Sequence, residues 1–207
     1  HVEQMFTLFG IANGATKARE VFELETKIAT LHWDQVRNRD ASLTYNKMTG
    51  AELMALSPAL NWSLWIKAGE VPAVAFDHVV IGQPSFFEGI SPLVAAFESD
   101  AAMKSAWKSW LSWHVLTGSA SYLSSEIVDQ NFAFYGTTLS GTPQLRERWK
   151  RGVALVEGSL GEAIGKIYVE RHFPPAAKAR MEGLVANLIE AYRISINELP
   201  WMSPETK

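Results

Sequence analysis

The sequence predicts an all-α lobe, and three observations carry that prediction. Apolar residues recur at helical spacing along most of the 207 residues, capping chemistry stands at several segment starts, and only one short stretch has strand character. Val21, Leu24, Ile28 and Leu31 lie three or four residues apart, with Lys17, Arg19, Glu23 and Lys27 off that stripe, so this segment reads as an amphipathic helix. Thr49-Gly50-Ala51-Glu52 has capping-box spacing, in which hydroxyl and carboxylate each take a free backbone N–H, and Leu53 and Leu56 follow on a short helix. Ser57-Pro58 is expected to open another helix carrying Leu60, Trp62, Leu64 and Trp65. Asp100 is the expected cap of a helix whose stripe is Met103, Trp107, Trp110 and His114, with Trp113 further round.

Leu145, Trp149, Val153, Val156, Leu160, Ile164 and Ile167 predict one long helix. Glycines at 152, 158, 161 and 165 oppose it, each by roughly 1 kcal/mol relative to alanine when interior and exposed. A break near Gly158, or close approach of another helix, is therefore expected. Ala176 to Ile196 reads as the last long helix, with Met181, Leu184, Leu188, Ala191 and Ile194 or Ser195 on one face. Only His78-Val79-Val80-Ile81 looks extended, and one strand without a partner makes no sheet. Proline and glycine clusters at 10–14, 69–72, 82–92, 136–143 and 172–175 read as loops. None is long enough to link independent domains, so residues 1–207 read as a single helical lobe. At the far end Ser203 and Pro204 have the chemistry of a cap and first helical residue, with Glu205 behind them. A helix starting there is expected to continue, which implies a longer polypeptide.

Composition narrows the function classes. With 19 basic and 22 acidic side chains the net charge is −3, so no polyanion partner is expected. The absence of cysteine excludes disulfides and cysteine-ligated zinc or iron–sulfur sites. The opening His1-Val2-Glu3-Gln4-Met5-Phe6 lacks the pattern of a secretory signal, and no apolar run here reaches membrane-spanning length.

Among His1, His32, His78, His114 and His172, no two stand four apart on a helix, and none belongs to an H-E-x-x-H zinc motif. On a helix His32 and Asp34 would point about 200° apart, which is unsuited to sharing a metal. Glu20, Glu23 and Glu25 form a carboxylate cluster that could serve acid/base chemistry. A solvated face with a Glu23–Lys27 ion pair is the preferred reading. Thr117-Gly118-Ser119-Ala120-Ser121 lacks the G-x-S-x-G elbow and reads as a helix end or turn. Arg146, Arg148, Lys150 and Arg151 surround Trp149, but Glu147 interrupts them and Trp149 lies on the apolar stripe, so nucleic-acid binding is not expected. The 8 tryptophans read as core for the same reason. No catalytic, cofactor-binding or metal-binding residue is assigned.

Several stretches, in order, resemble the neprilysin-like (M13) zinc metallopeptidases. They are Leu24-Glu25-Thr26-Lys27-Ile28-Ala29, Arg39-Asp40 with Thr44-Tyr45-Asn46, Asn131-Phe132-Ala133-Phe134-Tyr135-Gly136 and Leu139-Ser140-Gly141-Thr142. Further on come Arg148-Trp149-Lys150-Arg151, Lys166-Ile167-Tyr168-Val169, Phe173, Lys178, Leu188-Ile189-Glu190-Ala191-Tyr192-Arg193 and Leu199-Pro200-Trp201-Met202. Arg171-His172-Phe173-Pro174-Pro175 and Val185-Ala186-Asn187-Leu188 are most similar to the actinobacterial branch. The resemblance implies an N-terminal cap-lobe region of a two-lobed endopeptidase that encloses a cavity admitting small peptides. It implies zinc in the parent enzyme, held by an H-E-x-x-H helix and a later glutamate outside these residues, where zinc-activated water attacks the peptide bond. This region alone is expected to hold no zinc and to be inactive. Its implied partners are the catalytic lobe of the same polypeptide and peptide substrates. Gly152 stands where secreted animal members carry a cysteine, which agrees with a bacterial protein, cytoplasmic or secreted. The alternative is a stand-alone helical peptide-binding or scaffold module without catalysis.

Overall fold

The computed structural model describes residues 1–207, and the chain divides into two compact units, His1–Leu145 and Arg146–Lys207. The first unit is built on helices α1 (Val2–Leu8), α2 (Gly14–Ala29), α3 (Ala41–Thr44), α4 (Gly50–Leu56) and α5 (Trp62–Ala68). After these come α6 (Pro84–Ser99), α7 (Ala101–Ser119), α8 (Ser125–Phe132) and a π-helical segment over Ala133–Leu139. The class is mainly α, as expected. No helix is long and apolar enough to cross a membrane.

The core lies where α1, α2, α7 and α8 meet. Met5, Phe6, Val21, Trp113, Ala120 and Ile127 form one buried cluster, with Met5 and Phe6 fully enclosed. Helix α1 was not foreseen, because its two core residues are adjacent and show no repeat in so short a helix. The stripe expected on α7 is displaced. Ser109 and Trp113 are the buried positions, whereas Trp107 and Trp110 are half-buried and His114 is exposed. A serine at the contact has the small volume that lets α2 approach, and it carries a polar group that α2 satisfies.

Capping chemistry was legible at two starts and misplaced at a third. Thr49 accepts the Glu52 N–H and Glu52 accepts the Thr49 N–H, completing the capping box of α4. Asp100 accepts the N–H groups of Ala102 and Met103 at the start of α7. Helix α5, however, starts at Trp62 under the Asn61 carboxamide, which accepts the Leu64 N–H at 3.0 Å. Ser57 instead closes α4 through its own N–H to the Met54 carbonyl, and Leu60 stays outside the helix.

Two loop expectations are corrected. Residues 84–92 are helical, because Pro84 occupies the first turn, where no N–H is required, and Pro92 is tolerated inside α6 beside the buried Ile90 and Ser91. Residues 136–139 complete the π-helical segment, where the Phe132 ring lies so close to Gly136 that any Cβ there would collide with it. The extended stretch also has a partner. Strand β1 (Asn46–Met48) pairs antiparallel with β2 (Val79–Ile81), setting Asn46 against Ile81 and Met48 against Val79. Three residues with a lysine in the middle carry too short an alternation to be recognised alone.

The second unit holds α9 (Arg148–His172) and α10 (Pro175–Glu198). Neither helix buries a single residue within the chain. The expected break in α9 falls at Leu160, two residues beyond Gly158, where φ is −133° and ψ is 22°. A Cβ added at any of the four α9 glycines would meet nothing within 4 Å. At the far end the Thr206 and Lys207 N–H groups both reach the Ser203 carbonyl at 3.1 Å, giving a single turn.

Candidate functional site

The carboxylates that the sequence grouped together separate in the structure. Glu23 is exposed and makes no ion pair with Lys27. Glu20 faces α7, where Ser105 donates to Oε1 at 2.8 Å and Ser109 to Oε2 at 2.5 Å. Lys17, one turn earlier, donates to the Ser109 hydroxyl at 3.4 Å. A lysine, serine and carboxylate in series could activate a nucleophile, but Ser109 is 1% exposed and no substrate reaches it. The series acts as a polar clamp between α2 and α7.

Glu25 makes the second clamp. Its Oε1 accepts the Trp110 indole N–H at 2.7 Å and lies 2.9 Å from His114 Nε2. This is the closest approach to a metal site on the chain, and it does not fit one. Three ligating groups are nowhere gathered among His, Asp and Glu, and the one imidazole–carboxylate pair is joined directly with an indole on the same oxygen. Residues 1–207 therefore provide no zinc cradle.

The turn after α2 and the basic cluster serve the fold. Helix α2 ends at Ala29, so His32 and Asp34 lie in a turn beyond it, and the helical angle between them does not apply. His32 stacks on Phe86 at 4.3 Å. The Arg37 N–H, reinforced by that of Val36, holds the Asp34 carboxylate below its usual range. Trp33 anchors the same turn to α6, taking the Gln83 carboxamide with its N–H and the Ser85 hydroxyl with its indole. In the basic cluster Lys150 pairs with Glu147 at 2.7 Å and Arg151 donates to the Arg146 carbonyl. Trp149 is 65% exposed, contrary to its expected place in a core. Trp65 and Trp201 are exposed too, and Trp113 is the one tryptophan that counts as buried.

With a helical scaffold, two polar clamps and no catalytic constellation established, comparison supplies what local chemistry does not. The family model described as Peptidase family M13, an N-terminal region, matches residues 1–207. The chain belongs to peptidase family M13. Among curated M13 relatives, human endothelin-converting enzyme 1 is 27% identical over 195 residues, covering 91% of this chain and 24% of that protein. Neprilysin-2 of Drosophila melanogaster is 28% identical over 216 residues, covering 97% and 27%. The crystal structure of Mycobacterium tuberculosis zinc metalloprotease Zmp1 with an inhibitor superposes at a TM-score of 0.82 with 42% identity. That match covers 100% of this chain and 31% of that one. The open-state cryo-EM structure of the same enzyme gives 0.79 at 43% identity. The chain thus spans about a quarter of the curated M13 relatives it matches and about a third of the solved one. It corresponds to the N-terminal region of a zinc metalloprotease family.

Proposed function

We propose that this chain is the cap-lobe portion of a zinc metalloendopeptidase, forming part of the wall of a substrate cavity and limiting the size of peptides that enter. The observation that carries the reading is the match of all 207 residues to the N-terminal region of family M13, together with 42% identity to a zinc metalloprotease along the whole chain. The absence of a metal cradle supports a division of labour in which zinc and the groups acting on the peptide bond belong to polypeptide outside these residues. The second unit supports it as well. Val153, Val156, Ile164 and Ile167 on α9, and Leu184 and Leu188 on α10, stand more than a third exposed, as expected of helices covered by further chain.

The decisive experiment reads the gene beyond Lys207 and expresses the complete polypeptide. An H-E-x-x-H motif, stoichiometric zinc and cleavage of short peptides with folded proteins spared are expected. A complete polypeptide lacking the motif, or one cutting folded proteins as readily as peptides, would overturn the reading.

A further inference from the structure

The His1 imidazole sits in a cage of aromatic rings that joins α1 to the π-helical segment. It stacks on Phe134 at 4.4 Å and 8°, and meets Trp113 and Tyr135 edge-on at 5.6 and 5.4 Å. The π-helical turn sets Phe134 and Tyr135, adjacent in sequence, against the same imidazole. Nε2 is buried and has no hydrogen-bond partner, while Nδ1 lies 3.4 Å from the Gln130 amide nitrogen. That amide also donates to Gln4 Oε1 at 2.7 Å, which fixes it as a donor toward the ring.

We propose that His1 is a pH-sensitive latch that holds α1 in place only while its ring is neutral. The neutral form with its proton on Nε2 lets Nδ1 accept from Gln130. A second proton would set N–H against N–H at Nδ1 and put positive charge on a ring whose enclosed Nε2–H has no acceptor to share it. Attraction between an imidazolium and the Phe134 face opposes this but does not replace the Nδ1 hydrogen bond. No carboxylate forms an ion pair with the ring. Trp113 faces the ring from α7, Gln130 from α8, and Phe134 and Tyr135 from the π-helical segment, with the Tyr135 phenol the titratable group among them. On α1 itself Glu3 is the nearby titratable side chain, and neither Glu3 nor the ring enters an ion pair. Because Met5 and Phe6 occupy the centre of the core one turn further along, the state of this ring reaches the packing of the whole first unit. The inference does not depend on the peptidase reading.

Imidazole Cε1–H exchange, followed by mass spectrometry on the complete polypeptide against pH, reads the titration of His1 directly. Its proton affinity is expected to be at least tenfold lower than in the same polypeptide unfolded in urea. Amide exchange in residues 1–8, corrected for intrinsic rate, is expected to accelerate at least fivefold between pH 7.5 and pH 5. In His1→Phe, which keeps the ring and the cage, that acceleration is expected to disappear. A His1 that titrates as in the unfolded chain, or protonates more readily, would overturn the latch, and that reading is made on the unsubstituted protein even if the variant fails to fold. Equal acceleration in His1→Phe would overturn it too.

Discussion

Ser109 donates to Glu20 at 2.5 Å, and that bond joins two helices whose partners stand 89 residues apart in sequence. The serine is fully enclosed while Glu20 is half-buried, so the carboxylate brings its charge to the helix contact without leaving water altogether. Ser109→Ala leaves Glu20 with the Ser105 bond alone and is expected to cost about 1–2 kcal/mol of stability. Glu23→Ala, on the exposed side of the same helix, is expected to stay within about 0.5 kcal/mol. Urea titrations of both variants check this, and equal costs would remove the clamp from the account.

Gly50 lies against Phe76, where an added Cβ would stand 2.7 Å from a backbone oxygen and 2.9 Å from the Phe76 Cβ. Neither neighbour is the flexible end of a side chain. Gly50→Ala is therefore expected to destabilise by about 1–3 kcal/mol despite better helix propensity. A thermal midpoint unchanged from the parent would contradict the close approach.

Glu52 closes the capping box, and the Thr49 backbone N–H it accepts, reinforced by the Thr49 hydroxyl, holds its carboxyl below the ordinary 4.5. A carboxylate lowered by folding contributes stability in full above its unfolded value, and that stability is lost as pH falls through the lowered folded value. Helix α4 is expected to loosen below about pH 4.5, and Glu52→Gln to weaken it at neutral pH while removing that acid dependence. Amide exchange of residues 50–56 between pH 3 and pH 6 reads both effects.

Gly165 on α9 meets nothing within 4 Å in this chain. In residues 1–207 alone, Gly165→Ala is expected to stabilise the helix by about 0.5–1 kcal/mol. In the complete polypeptide the same change is expected to be neutral or costly if further chain covers that face. Helix content by circular dichroism and the thermal midpoint, measured on both, separate the cases.

Metal analysis of residues 1–207 after dialysis is expected to find no retained zinc, because Glu25 and His114 are bonded to each other and no third ligand joins them. One tightly held zinc per chain would overturn that expectation.

Helical class, the capping box at Thr49, the Asp100 cap and the last long helix, expected over Ala176–Ile196 and found over Pro175–Glu198, were all legible in the sequence, because each rests on contacts within one or two turns. The order of family motifs was legible too, since it is linear. Which side of α7 is buried was not. That depended on Ser109 meeting Glu20 and on Trp113 meeting Phe6, contacts between segments that spacing along one helix does not encode. Strand β1 was missed because a three-residue strand exists only through its pairing with β2, 35 residues away at Asn46 and Ile81. The carboxylates show the division most plainly. Sequence grouped Glu20, Glu23 and Glu25 by proximity, and tertiary structure divided them into two clamps and one solvated side chain, because helix α7 reaches only the side of α2 that carries Glu20 and Glu25. Local chemistry determined that helices form, and packing between distant segments decided which of their polar groups hold the lobe together.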